Sequence, residues 1–164
     1  MSEMIKVGMA DLKTCVSPNS VITLGLGSCV GIAIRDPLTK IGGLAHIMLP
    51  DSKAMLNGGQ NIAKFADTGI VELVRQMEKL GASRQRMVAK IAGGANMFNF
   101  EGKSNSTVGQ VGSRNVEASK AKLMELKIPI LAQDTGANYG RTVVFYPETG
   151  EYHIRAVGRS ESII

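Results

Sequence analysis

The stretch Thr23-Leu-Gly-Leu-Gly-Ser-Cys29, followed by Gly42-Gly-Leu-Ala-His46, sets a hydroxyl, a thiol and an imidazole close together in the chain. Thiol-dependent hydrolysis needs groups of these types: a thiolate to attack, a base that takes the proton from sulfur, and a third group that holds the imidazole in the useful tautomer. Cys29, His46 and Thr23 can fill the three roles in that order. Gly25, Gly27 and Gly31 do not match Gly-x-Gly-x-x-Gly, and no helix start with a downstream acid follows, which sets a nucleotide cradle aside. They suit a tight backbone turn, in which amide N–H groups around Gly27, Ser28 and Cys29 can face a developing oxyanion. Each residue also has a plainer use. A cysteine is commonly a small buried hydrophobe, a histidine flanked by Ala45 and Ile47 a hydrogen-bonded structural group, and a threonine in a β-branched run a strand residue.

The elements around them decide between these uses. Residues 30–35 and 41–49 read as two strands joined by the turn-rich Asp36-Pro37-Leu38-Thr39-Lys40. With Asp36 opposite Ile41, Gly31 faces His46 and Cys29 faces Met48. Cys29 and His46 then share one face as a diagonal pair, roughly 7–8 Å apart at the backbone, a gap their side chains can close. A slip of one residue would put them on opposite faces. A strand over 4–9 and extended chain over 21–26 precede this hairpin. Residues 61–80 carry Ile62, Ala66, Ile70, Leu73, Val74, Met77 and Leu80 at helical spacing, with Gly81 as the stop, and read as one long amphipathic helix. A strand over 87–91 ends in Gly93-Gly94, and a polar loop leads to a second helix over 113–126 with Val116, Leu123 and Leu126 inward. Strands over 128–132, 141–146 and 152–157 finish the chain, the last two joined by Pro147-Glu-Thr-Gly150. Strands outnumber helices and are partly joined by hairpins, which argues for mixed sheets in an α+β fold over a doubly wound parallel sheet.

Composition bounds the partners. With 164 residues, 44% of them hydrophobic, the chain suffices for one domain with a real core, and a single domain spanning residues 1–164 is expected. The start Met-Ser-Glu-Met-Ile-Lys lacks the apolar segment of a secretory signal and no run of eighteen apolar residues occurs, so a cytoplasmic chain without membrane insertion is expected. In that setting Cys15 and Cys29 are expected as free thiols. Cys15, Cys29, His46 and His153 match no paired ligand spacing, so neither a metal nor another cofactor is expected. Cys15 reads as structural and His153 as a sheet or surface residue. The net charge of +5 comes from dispersed Lys and Arg with no Trp among the aromatics, a poor match to a nucleic-acid surface and a better one to an acidic protein partner. Asp134, Thr135 and Arg141 fall in a Gly-rich stretch, where turn chemistry and surface pairing are the simplest reading.

Five motifs, Thr23-Leu-Gly-Leu-Gly-Ser-Cys29-Val-Gly, Gly42-Gly-Leu-Ala-His46-Ile-Met-Leu-Pro50-Asp51, Lys90-Ile-Ala-Gly-Gly94, Gly112-Ser-Arg-Asn115 and Asp134-Thr-Gly136, together resemble CheD, the family of bacterial chemoreceptor glutamine deamidases. The resemblance runs from about residue 5 to about residue 157. It implies a layered sandwich of mixed β-sheets flanked by helices, a Cys29–His46–Thr23 catalytic triad, and conversion of receptor glutamines to glutamate with release of ammonia. It also implies two partners, the Glu- and Gln-rich helical bundle of chemoreceptors as substrate and a CheC-type phosphatase as regulator. Glutamate methylesterase chemistry is a side reaction open to the same thioester route. Ala137, where many relatives carry a second glycine, and Asn96 depart from the family pattern; neither touches the triad. Two other readings stand beside this one: a regulatory protein that only docks on the phosphatase, and a small-molecule amidase that would turn over free glutamine.

Overall fold

The computed structural model describes residues 2–54, 61–97 and 110–164. In chain order these residues form β1 (Met4–Val7), β2 (Asp11–Val16), β3 (Ser20–Leu26), β4 (Val30–Asp36), β5 (Ile41–Ile47), α1 (Ala66–Lys79), β6 (Val88–Gly93), α2 (Val111–Glu125), β7 (Ile130–Thr135), β8 (Arg141–Tyr146), β9 (Glu151–Arg155) and β10 (Ser162–Ile163). One sheet runs β1-β3-β8-β9-β10 and the other β2-β5-β4-β6-β7. Each contains a single parallel pairing, β1 with β3 and β6 with β7, and is otherwise antiparallel. The expected α+β sandwich of mixed sheets is what forms.

Residues of β4 and β5 are apolar or small at nearly every position and almost wholly buried, as a central strand covered on both faces requires. One face carries Val30, Ile32, Ile34, Ala45 and Ile47 into a core shared with Ile70, Leu73, Val74 and Met77 of α1 and Val116 and Leu123 of α2. The opposite face carries Cys29, Ala33 and Leu44 into a second core with Val21, Leu26, Val143, Phe145 and Tyr152 of the other sheet. The order of layers is therefore helices, central sheet, second sheet, with both helices on one side. Among the described residues no helix is long and apolar enough to cross a membrane.

The β4–β5 register is the one read from the turn. Asp36 pairs with Ile41 and Gly31 with His46. Asp36 is fully buried and ties this hairpin to the segment before β6, accepting from the Leu38 and Ser83 N–H groups at 3.0 and 2.8 Å and pairing with Arg86 at 2.8 Å. Those donors and the guanidinium hold its carboxyl well below the usual carboxylate range against the opposing effect of burial.

Elsewhere the structure corrects the sequence reading. The helix expected over 61–80 is interrupted. Asn61 caps a 3-10 turn over Ile62–Lys64, Phe65 is extended (φ −111°, ψ 144°), and α1 starts only at Ala66. Phe65 is buried and its backbone bridges Leu49, a tertiary preference that overrides the helical spacing. β2, between β1 and β3, has no signature in the sequence, because only Leu12 and Cys15 of Asp-Leu-Lys-Thr-Cys-Val are buried and no clean alternation marks it. β10, at two residues, is too short to carry a sequence pattern. Arg141 is not a surface loop residue. It begins β8, where the strand over 141–146 was expected, but is only 2% exposed and pairs with Asp134 of β7 at 3.1 Å. Cys15 and Cys29 are both free and buried, and His153 on β9 pairs with Glu151 and Glu161.

Candidate active site

Thr23 comes from β3 and His46 from β5, so the two belong to different sheets, and both are fully buried. Thr23 Oγ1 lies 2.7 Å from His46 Nδ1 and 2.8 Å from the carbonyl oxygen of Val7, its register partner on β1. A hydroxyl has one hydrogen, and a carbonyl oxygen can only accept, so Thr23 donates to Val7 and accepts from His46. That assigns the neutral ring: Nδ1 carries the proton and Nε2 keeps its lone pair. Nε2 is buried and has no hydrogen-bond partner among the described residues.

Cys29 stands between β3 and β4, 7% exposed, in the layer between the sheets. Since Gly31 is directly opposite His46, Cys29 is the diagonal neighbour of His46 on the same face. Gly31 cannot be larger. A Cβ there would come within 2.7 Å of Tyr152 Oη, which donates to the Gly31 carbonyl at 2.9 Å. Burial pushes the Cys29 thiol up, with a smaller downward pull from its own backbone N–H, and burial pushes His46 down. Both shifts favour a neutral thiol beside a neutral imidazole over a thiolate–imidazolium pair.

The turn before Cys29 uses Gly25 at φ +74°, a conformation suited to glycine. Gly27 and Ser28 then form a partly exposed shelf, with Met97 Cγ 3.4 Å from where a Gly27 Cβ would be. Such an arrangement suits nucleophilic attack on a carbonyl carbon: a thiol, a base with an unused lone pair, and backbone N–H groups beside the sulfur.

A family model described as CheD chemotactic sensory transduction matches residues 48–156. The chain belongs to the CheD family. A protein of Lachnoclostridium phytofermentans named "Probable chemoreceptor glutamine deamidase CheD" is 60% identical over 164 residues, covering all of both chains. One from Halalkalibacterium halodurans named "Chemoreceptor glutamine deamidase CheD" is 49% identical, again over the full length of both. The family-model match begins just after His46, whereas the full-length relatives span Thr23, Cys29 and His46 as well.

Family motifs outside the Cys29 and His46 segments have structural work. Gly93 and Gly94 take φ +106° and +66°; a Cβ on Gly93 would strike the Cys29 carbonyl oxygen, and one on Gly94 would strike Val116. Ala137 occupies φ +60°, the left-handed region that favours glycine. Asn96 bonds Ser113 through both ends of its amide, at 2.9 and 3.2 Å. Two contributors to the site escaped the sequence reading: the Val7 carbonyl, which carries no side-chain signal, and Asn115, whose only signal was its place in Gly112-Ser-Arg-Asn115.

Proposed function

We propose that this chain is a protein-glutamine deamidase of chemoreceptors, with Cys29 as nucleophile, His46 as acid and base, and Thr23 as the group that orients the imidazole. The observation that carries this reading is the Val7–Thr23–His46 relay, because it leaves Nε2 as the one ring nitrogen free to take a proton. A neutral imidazole with a fixed tautomer is what a general base requires.

In the proposed cycle His46 Nε2 takes the Cys29 proton as sulfur attacks the side-chain amide carbon of a glutamine. The carbonyl π electrons move to oxygen, and N–H groups around Gly27, Ser28 and Cys29 stabilise that oxyanion. The C–N bond then breaks, His46 returns its proton to the departing nitrogen, and ammonia leaves a γ-glutamyl thioester. Water loses a proton to His46, attacks the thioester carbon and expels the Cys29 thiolate, which recovers the proton. The product is glutamate. Methyl esters of glutamate can follow the same path, with methanol in the place of ammonia.

The substrate assignment rests on the names of full-length relatives, and a cytoplasmic place of action on the receptor helical bundle that the family resemblance implies as substrate. A CheC-type phosphatase is the regulatory partner implied by family resemblance. The test is mass spectrometry of a receptor cytoplasmic fragment incubated with wild type and with Cys29→Ala, searching for glutamine-to-glutamate conversion. Conversion by wild type and none by the variant is expected. Conversion retained in Cys29→Ala, or no conversion by wild type of any cognate receptor, would overturn the proposal; the second result would favour a protein that only docks.

A further inference from the structure

The third residue of the Ser-Arg-Asn run at the start of α2 is fully buried, yet its side chain reaches the Cys29 loop. Asn115 Nδ2 donates to the Ser28 carbonyl oxygen at 2.8 Å and to the Met48 carbonyl oxygen at 2.9 Å. Both partners can only accept, so the amide cannot be turned over without setting oxygen against oxygen. Asn115 thereby staples the residue before the thiol to the chain just after His46.

The neighbouring carbonyls are held as well. Gly27 O accepts from the Ala95 N–H at 2.9 Å and Cys29 O from the Gly94 N–H at 2.8 Å. Three successive carbonyls are thus fixed, two by the β6–α2 segment and the middle one by Asn115. In a trans peptide the C=O of one residue and the N–H of the next point in opposite directions. Fixing Gly27 O therefore sets the Ser28 N–H, and fixing Ser28 O sets the Cys29 N–H. No other described residue accepts a hydrogen bond from either group; the Cys29 N–H lies against its own sulfur. Two donors that no other described residue engages, beside a nucleophilic sulfur, can serve an oxyanion.

We propose that Asn115 is a positioning residue for the reaction, holding the Ser28–Cys29 peptide so that the Cys29 N–H can receive the tetrahedral oxyanion. This rests on the thiol acyl-transfer reading of the site, and deepens it. Acyl transfer to Cys29 forms an oxyanion, whereas alkylation of Cys29 by iodoacetamide, a displacement at saturated carbon, forms none. The two rates therefore separate the hole from the thiol.

The experiment measures both rates for the full chain and for Asn115→Asp and Asn115→Ser, with p-nitrophenyl acetate as the acylating probe and deamidation of a receptor fragment alongside. Cys15 is buried and its thiol is pushed up to about 11, so it should react slowly near neutral pH, and Cys29→Ala supplies the background to subtract. The acylation rate of Asn115→Asp is expected to fall roughly 10²-fold, as when an oxyanion donor is removed, with alkylation little changed. Deamidation should lose kcat rather than raise KM. A carboxylate at 115 facing two carbonyl oxygens is disfavoured until protonated, when its O–H can donate once. Asn115→Asp should then regain acylation relative to wild type as pH falls while its alkylation relative to wild type stays level; a parallel rise in both would report recovered folding instead.

Equal losses of acylation and alkylation would assign Asn115 to the scaffold of the loop and overturn the proposal. So would unchanged acylation, absence of wild-type acylation at Cys29, or failure of both variants to fold. If wild type acylates readily yet converts no receptor glutamine, the deamidase reading fails, and the ratio of the two rates still decides the role of Asn115.

Discussion

Replacing Thr23 by Val tests the relay at its centre with almost no change of shape. The side chain is fully buried, and Val keeps the β-branch while deleting one hydroxyl. Two groups lose their partner at once, the Val7 carbonyl oxygen at 2.8 Å and the His46 Nδ1–H at 2.7 Å. A buried polar group left unsatisfied costs roughly 1–3 kcal/mol, so the two together should cost Thr23→Val about 2–6 kcal/mol of stability. The catalytic effect is separate. Without an acceptor at Nδ1 the neutral ring can shift its proton to Nε2, and the nitrogen that should take the thiol proton becomes a donor. An interaction of roughly 1.4–2.8 kcal/mol with one tautomer corresponds to a loss of about 10- to 100-fold in kcat. A neutral hydroxyl orients an imidazole less firmly than a carboxylate does, and the nucleophile remains, so the loss should stay well short of that of Cys29→Ala. Thr23→Ser keeps the oxygen and should keep most of the activity. Deamidation rates followed by mass spectrometry, with thermal unfolding of the same samples, give both numbers. Wild-type kcat in Thr23→Val, or a loss as complete as in Cys29→Ala with Thr23→Ser equally inactive, would refute the relay.

The neutral resting pair has a signature in thiol reactivity. With burial raising Cys29 and lowering His46, alkylation should climb on the alkaline side of an ordinary cysteine, and a rate plateau already reached near pH 6 would reveal a resting ion pair instead. The same His46 shift links to stability: the unfolded chain binds the proton more readily, so this contribution is fully present above the ordinary histidine pKa of about 6.5 and is lost as pH falls from there through the folded value. His46→Gln should flatten that portion of the stability profile, as read by chemical denaturation between about pH 7 and 4. Asp36→Asn removes the charge that faces Arg86 while leaving shape intact, and should cost about 2–4 kcal/mol, a fall in Tm of roughly 5–12 °C. Because the Asp36 carboxyl is held low in the fold, its stabilisation is present above the unfolded carboxylate pKa and disappears as pH falls below it; wild type and Asp36→Asn should therefore converge in acid. A constant gap between them down to pH 2 would be contrary to this account.

What was legible in the sequence was local. The Asp36-Pro-Leu-Thr-Lys40 turn offered the β4–β5 register in which Asp36 faces Ile41, with a one-residue slip as its alternative, and the register that forms puts Cys29 and His46 on one face. Gly81 at φ +115° ended α1, and Gly150 at φ +83° closed the β8–β9 hairpin, because a positive φ is a demand that glycine answers from sequence. Candidates for the chemistry were legible too, since few residue types can act as a nucleophile or a base.

Contacts between segments far apart in the chain were decided by tertiary structure. Thr23 meets His46 only because two sheets stack face to face, and it is oriented only because β1 returns beside β3 and offers the Val7 carbonyl. A backbone oxygen carries no residue-type signal, so no pattern could have announced it. Asn115 sits in a helix whose interior disfavours asparagine, and its role depends on carbonyls 67 and 87 residues away. Phe65 broke the apparent long helix to enter the core beside Leu49, and Arg141 was buried against Asp134, outcomes set by packing that local propensity does not describe. Side-chain type and spacing determined which atoms could react; the stacking of the two sheets determined which nitrogen of His46 holds the proton.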